Sequence, residues 1–87
     1  MDREEIQQNL NQVFQDVFED KSIAVRDDMT ASDVKDWDSL NHVTLIVSVE
    51  KTFGVRFTTK EVNSLKNVGE MIDLIGKKKN STGGSSF

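Results

Sequence analysis

The sequence contains no cysteine, no proline and no tyrosine, and only one histidine and one tryptophan. Without cysteine there can be no disulfide framework, no thiolate zinc site and no internal cysteine nucleophile. A single histidine excludes a multi-histidine metal centre. Any thiol chemistry must use a sulfur supplied from elsewhere. No apolar stretch approaches the roughly 20 residues needed to span a bilayer. The opening Met1-Asp2-Arg3-Glu4-Glu5 has no apolar run behind a basic region, so no secretion signal is expected and the expected place is the cytoplasm. At 87 residues the chain reads as one domain. It lies near the lower size limit, where folding buries only about 60% of the surface. A deep cleft between two domains is not expected.

Charge of one sign is concentrated at one end. The formal net charge is -4. The first 38 residues carry eleven acids against four bases, the next 38 are balanced, and the last eleven hold three lysines and no acid. An acidic front half repels phosphates at long range and argues against nucleic acid as a partner.

Ile6, Leu10, Val13, Phe14, Val17 and Phe18 recur at i, i+4, i+7, i+8, i+11 and i+12, which places them on one helical face over about residues 2–19. Gln7, Gln8, Asn11, Gln12 and Gln15 lie off that face. Residues 20–38 have no sustained period and are rich in turn and cap formers, with Ile23, Val25, Met29 and Val34 as scattered apolar anchors. A loop of this length in a compact domain is usually functional or disordered. The anchors favour a loop packed onto the helices. A second helix runs from about Ser39 to Phe53, with Asp38 as its N-cap and Gly54 as its stop. A short third helix at about 59–65 opens with a capping box from Thr58 to Glu61 and turns Val62 and Leu65 inward. A last helix opens at Asn67-Val68-Gly69-Glu70 and aligns Val68, Met71, Ile72 and Ile75. Val55-Arg56-Phe57 alternates but is too short for a sheet. The fold class is therefore an all-α four-helix bundle with a long first loop and a short third helix.

Residues 76–87 lack the apolar area to offset their ordering entropy. They are expected to form a flexible tail, which leaves a packed unit over 1–76 and a tail at 77–87. The lysines of that tail read as a charge run in solvent. Asn80-Ser81-Thr82 matches a glycosylation sequon, which without a secretion signal is a chance match.

The second helix has two apolar stripes. Leu45, Ile46, Val49 and Phe53 form one; Leu40, Val43 and Val47 form another, about 125° away. One can face the core. The other lies against a second neighbour or faces a cavity or partner, and periodicity alone leaves both readings open. The helix begins Trp37-Asp38-Ser39-Leu40. If Asp38 takes the free amides of the first turn, the Ser39 hydroxyl is not needed for capping. A phosphate on Ser39 would then sit at the positive end of the helix dipole. By itself this arrangement also fits a plain helix cap.

Asp38-Ser39-Leu40, then Val43, Leu45-Ile46, Val49-Glu50 and Phe53-Gly54-Val55, resembles the core signature of acyl carrier proteins, and the helix order resembles theirs along nearly the whole chain. The resemblance implies that the chain is not an enzyme. It implies that Ser39 carries 4'-phosphopantetheine, transferred from coenzyme A by a separate phosphopantetheinyl transferase, and that the arm's thiol holds acyl groups as thioesters. Asp38 matches the residue that helps the transferase engage the serine. Leu40, Val43, Val47 and Glu50 match partner-facing positions. Leu45, Ile46, Val49, Phe53 and Ile72 match the core lining an acyl pocket. The expected partners are the transferase and acyl-loading and acyl-using enzymes, and the expected state is a monomer.

The sequence departs from the fatty-acid pattern in one respect. Carriers for fatty-acid synthesis have several acids along the second helix, whereas here it holds only Glu50 and Lys51 as charges. This points to a carrier for a dedicated lipid, polyketide or secondary-metabolite pathway. Asp27, Asp28, Asp33, Asp36 and Asp38 are then expected to carry the electrostatic steering. His42, one turn after Ser39, borders the cargo pocket or contacts the arm, or is half-buried and bonded to a backbone carbonyl, the last being the expected case. Trp37 is expected to pack the loop against the bundle. Counting twelve residues from Asp27 or Asp28 meets neither the glycine nor the glutamate of a calcium loop, so no metal site is expected. An aminoacyl or peptidyl carrier would use the same serine. A helical interaction module would leave it unmodified.

Overall fold

The computed structural model describes residues 2–84, with side chains described for residues 2–79. Four α-helices follow one another: α1 (Arg3–Val17), α2 (Ser39–Phe53), α3 (Thr59–Ser64) and α4 (Val68–Gly84), with a single 3₁₀ turn at Ala31–Asp33 in the first loop. No strand occurs among the described residues, in agreement with the all-α reading.

α1 is shorter at both ends than its periodicity implies. Asp2 stands outside the helix as its cap, with its carboxylate accepting the Glu5 N–H at 2.8 Å. At the other end Glu19 adopts a left-handed φ of 50° and the Asp20 N–H returns to the Gln15 carbonyl at 3.1 Å. This closure satisfies a last-turn carbonyl and ends the helix before the apolar pattern does. The boundaries of α2 match the sequence reading. The Asp38 carboxylate accepts the Asn41 N–H at 2.9 Å, and Gly54 stops the helix at φ 67°, where a side chain would be strained.

The core is formed by α1, α2 and α4, each contributing one stripe. Ile6, Leu10, Val13 and Phe14 come from α1, Leu45, Ile46, Val49 and Phe53 from α2, and Val68, Met71, Ile72 and Ile75 from α4. Val25, Met29, Val34 and Val55 enter from the connections. The first loop is thus packed, as its apolar anchors suggest.

Its backbone is held by amide side chains that sequence reading assigned only to the polar face of α1. Gln7 Nε2 donates to the Val25 carbonyl at 3.0 Å, Asn11 Oδ1 accepts the Val25 N–H at 2.9 Å, and Gln15 Nε2 donates to the Ile23 carbonyl at 2.9 Å. Their spacing of four residues stacks the three amides on one side of the helix. They supply partners to a strand-less segment that would otherwise bury unpaired backbone groups. Asn11→Ala leaves the Val25 N–H without its acceptor and is expected to cost about 1–3 kcal/mol. Urea unfolding followed by circular dichroism measures this, and an unchanged midpoint would show that the amide ladder contributes nothing.

The same loop receives the start of α4. The Val68 N–H donates to the Met29 carbonyl at 2.8 Å and the Gly69 N–H to the Asp27 carbonyl at 2.9 Å, so two free amides of the first turn are satisfied by the loop. A Cβ at Gly69 would lie 2.9 Å from the Asp27 oxygen, which explains why this position is glycine. Asn67 caps the helix by accepting the Glu70 N–H at 2.8 Å.

α4 continues past Ile75 to Gly84, and two of the three lysines are engaged rather than solvated. Lys79 Nζ donates to the Phe53 carbonyl at the end of α2 at 3.0 Å. Lys78 Nζ pairs with Glu61 of α3 at 2.9 Å and lies 5.6 Å from the centre of the Phe57 ring. Lysine is a good helix former and its long stem reaches these acceptors along apolar surface. Residues 85–87 of the expected tail, and the side chains of the Asn80-Ser81-Thr82 sequon, lie outside the described residues.

The Lys78 ammonium, and next the Thr58 N–H, hold the Glu61 carboxyl below its ordinary range. A lowered folded-state value contributes stability above the ordinary carboxylate range, and this is lost as pH falls through the lowered value. Glu61→Gln keeps an oxygen for the Thr58 N–H and removes the charge. It is expected to be less stable than the parent at pH 7 by less than about 1 kcal/mol, since the pair is partly exposed. Melting curves from pH 7 to pH 3 should show this difference closing in acid, and a constant difference would contradict the ion-pair origin.

Candidate functional site

The first loop delivers the chain to α2 through a tight bend. Asp36 takes a left-handed φ of 71°, the Trp37 N–H returns to the Val34 carbonyl at 3.2 Å, and the Asp38 N–H bonds the Asp36 carbonyl at 2.9 Å. Asn41 Nδ2 donates to that same carbonyl at 2.6 Å, tying the bend to the first turn of the helix. Asp38 is thereby set in extended conformation with its carboxylate over the helix end, and Ser39 becomes the first helical residue.

The consequence is chemical. The carboxylate of Asp38 satisfies the first-turn amide, and the exposed Ser39 hydroxyl makes no hydrogen bond among the described residues. Ser39 therefore combines a free nucleophilic oxygen with the positive end of α2. An ester or phosphodiester formed there would not disturb the cap.

Beside Ser39 lies an open groove of about 550 Å³ between the start of α2 and α3. Trp37, Asp38, Ser39, His42 and Val43 line it from the start of α2; Val62, Asn63, Leu65 and Lys66 line it from α3 and the residues after it, and Ala31 of the first loop also lines it. Leu45, Ile46, Val49, Phe53 and Ile72 do not line it: all five are buried in the core. The apolar side of the groove is supplied instead by Val62 and Leu65, which the sequence places inward on the third helix without revealing that they face Ser39.

Along α2 the two stripes separate cleanly. The Leu45 stripe is buried, whereas Leu40, Val43 and Val47 are 77%, 60% and 43% exposed. Glu50 at the far end of the helix is half-buried, and its carboxylate accepts the Phe57 N–H at 2.8 Å. The loop acids also have local structural work. Asp27 pairs with Arg3 at 3.1 Å and Asp28 with Arg26 at 3.2 Å. Asp33 closes a capping box with Thr30.

Trp37 packs edge-on against Phe14, with ring centres 5.2 Å apart, and touches Phe18. Its indole N–H donates to Nδ1 of His42 at 3.0 Å. The partner of the histidine is thus this indole and not a backbone carbonyl. No group of three or more histidine, cysteine or acidic side chains that could hold a metal ion occurs among the described residues. No helix among them is long and apolar enough to cross a membrane.

Comparison with known proteins gives a consistent result. The sequence profile of the phosphopantetheine attachment site matches residues 8–75. The acyl carrier protein of Coprothermobacter proteolyticus is 34% identical over 77 residues, covering 86% of this chain and 92% of that protein. The acyl carrier protein of Renibacterium salmoninarum is 40% identical over 52 residues, a match that spans 60% of this chain and 64% of that protein. The solution NMR structure of a holo acyl carrier protein from Geobacter metallireducens superposes with a TM-score of 0.84 at 38% identity, covering 90% of each chain.

Proposed function

The chain belongs to the acyl carrier proteins with a phosphopantetheine attachment site, and from that premise we propose that Ser39 is the attachment residue and that the carrier serves a dedicated pathway. The observation that carries the first point is the free, exposed Ser39 hydroxyl beside a carboxylate already committed to capping. Carriers of this family are not catalysts themselves. Modification is the work of a separate transferase: Ser39 Oγ forms a bond to the phosphorus of the phosphopantetheine end of coenzyme A, the nucleotide portion leaves, and the hydroxyl proton passes to the transferase. The attached group supplies a thiol that the chain lacks, on which acyl groups are held as thioesters.

The chain's own residues provide the seat. The amide end of α2 favours the phosphodiester's negative charge. Asp38 holds that helix end and is the residue offered to the transferase. The groove walled by Val62 and Leu65 receives the arm, and the buried Leu45, Ile46, Val49, Phe53 and Ile72 are the core against which an acyl chain would have to insert. Leu40, Val43 and Val47 form the surface presented to acyl-handling enzymes, with Glu50 at its end. The carrier unit acts as a monomer and runs past the boundary at residue 76 expected from the sequence, since Lys78 and Lys79 bond back to Glu61 and the Phe53 carbonyl.

A dedicated pathway is supported by the chemistry of that surface. α2 carries Glu50 and Lys51 as its only charges, and Glu50 is bonded to backbone. Docking by apolar contact therefore outweighs docking on a basic patch. A fluorescent coenzyme A analogue with a broad-specificity transferase tests the attachment site. The parent is expected to be labelled and Ser39→Ala to remain dark; equal labelling of both would contradict the assignment.

A further inference from the structure

Trp37 and His42 meet on the wall of the groove that holds Ser39. The indole N–H donates to His42 Nδ1 at 3.0 Å, and with centres 6.1 Å apart and planes 24° apart the two rings lie edge to edge and nearly coplanar. Trp37 cannot turn away easily, because Phe14 and Phe18 hold it from the core side.

An indole nitrogen is a donor only. The imidazole nitrogen opposite it must therefore present a lone pair, and in the neutral ring the proton resides on Nε2. The aromatic cluster thus selects one tautomer of His42. Nε2 has no hydrogen-bond partner among the described residues. His42 lies three positions after Ser39, so the two Cβ atoms are about 5–6 Å apart on one side of α2, and both residues line the same groove. A half-buried N–H of fixed direction with no acceptor of its own stands one turn from the attachment oxygen.

We propose that His42 is a positioning residue whose Nε2–H donates to an acceptor oxygen on the Ser39-borne arm, holding the serine-proximal half of that arm in the groove. The proposal rests on the assignment of Ser39. The arm offers phosphodiester, hydroxyl and amide oxygens, all of them acceptors; Asn63 and Lys66 stand on the opposite wall with Val62 and Leu65, whereas His42 shares the wall and the helix turn of Ser39. Trp37 acts through His42. It removes the alternative tautomer, in which Nε2 would face the arm's acceptors with a lone pair.

The test uses the whole chain labelled with ¹⁵N at histidine and studied by long-range ¹H–¹⁵N NMR, before and after transfer of phosphopantetheine, with the transfer checked by mass. Nδ1 is expected as the unprotonated nitrogen in both forms, with the Nε2–H signal moving downfield on attachment and nuclear Overhauser contacts appearing between His42 and the arm. His42→Phe retains an aromatic ring without the donor and is expected to lose contacts between the arm and the groove, with helicity unchanged. Trp37→Phe should release His42 into a mixture of tautomers and weaken the same contacts. No gain in mass would remove the Ser39 assignment and this proposal with it. A gain in mass with an unmoved Nε2–H signal, or with arm contacts identical in His42→Phe, would overturn the role of His42 alone. A protonated Nδ1 in the parent at neutral pH would overturn it also.

Discussion

Phe14→Ala is expected to destabilise the domain by about 3–5 kcal/mol, the usual cost of deleting a buried aromatic ring. Domains of this size have total stabilities on the order of 5–10 kcal/mol, so the loss removes roughly 30% or more of what holds the chain folded. Phe14 is fully buried on α1, stands edge-on to Trp37 and packs tilted against Phe18 at 5.7 Å between ring centres. Its removal opens a cavity where the first helix, the end of the first loop and the start of α2 converge. In so small a core few neighbours can relax into that space. Urea unfolding by circular dichroism gives the stability, and Trp37 fluorescence reports the same site independently. A loss below about 1 kcal/mol with unchanged fluorescence would show that this cluster does not secure the start of α2.

The second large effect concerns docking. Val47→Asp is expected to slow acyl loading of the phosphopantetheine-bearing protein at least tenfold while leaving helicity unchanged. Val47 is 43% exposed, so a carboxylate there is solvated in the free protein and costs the fold little. Against an apolar partner surface the same carboxylate must be desolvated, and Lys51, one turn further along α2, is the only cation of that helix within its reach. A charge at the centre of such an interface costs roughly 2 kcal/mol or more, which converts to a factor above ten. Loading rates with the cognate enzyme measure the effect. An unchanged rate would mean that partners do not use the Leu40–Val43–Val47 stripe.

Elements whose cause is local were readable in the sequence. Asp38 and Gly54 delimit α2 because capping needs a carboxylate at one end and a residue that accepts positive φ at the other. The two stripes of α2 follow from helical period, and the fold buries one and exposes the other. What depends on distant segments was not readable. Gln7, Asn11 and Gln15 have the composition of a solvated face, and only the path of residues 23–25 turns them into a clamp. Val62 and Leu65 show an inward face, but which site they face is set by the fold, which puts them across a groove from the start of α2. The bond between Trp37 and His42 joins residues five apart across a loop–helix junction, where no periodicity applies. Lys78 and Lys79 find Glu61 and the Phe53 carbonyl only because the fold brings α4 beside α3 and the end of α2.

The most direct test of the carrier function is intact-mass measurement through a full loading cycle. The purified chain is treated with coenzyme A and a transferase, then with an acyl donor and its loading enzyme, then with hydroxylamine to cleave thioesters. The expected record is a gain of one phosphopantetheine, a further gain of one acyl group, and return to the phosphopantetheine mass, with no gain at any stage in Ser39→Ala. A mass that never moves, or a gain that survives Ser39→Ala, would contradict attachment at Ser39.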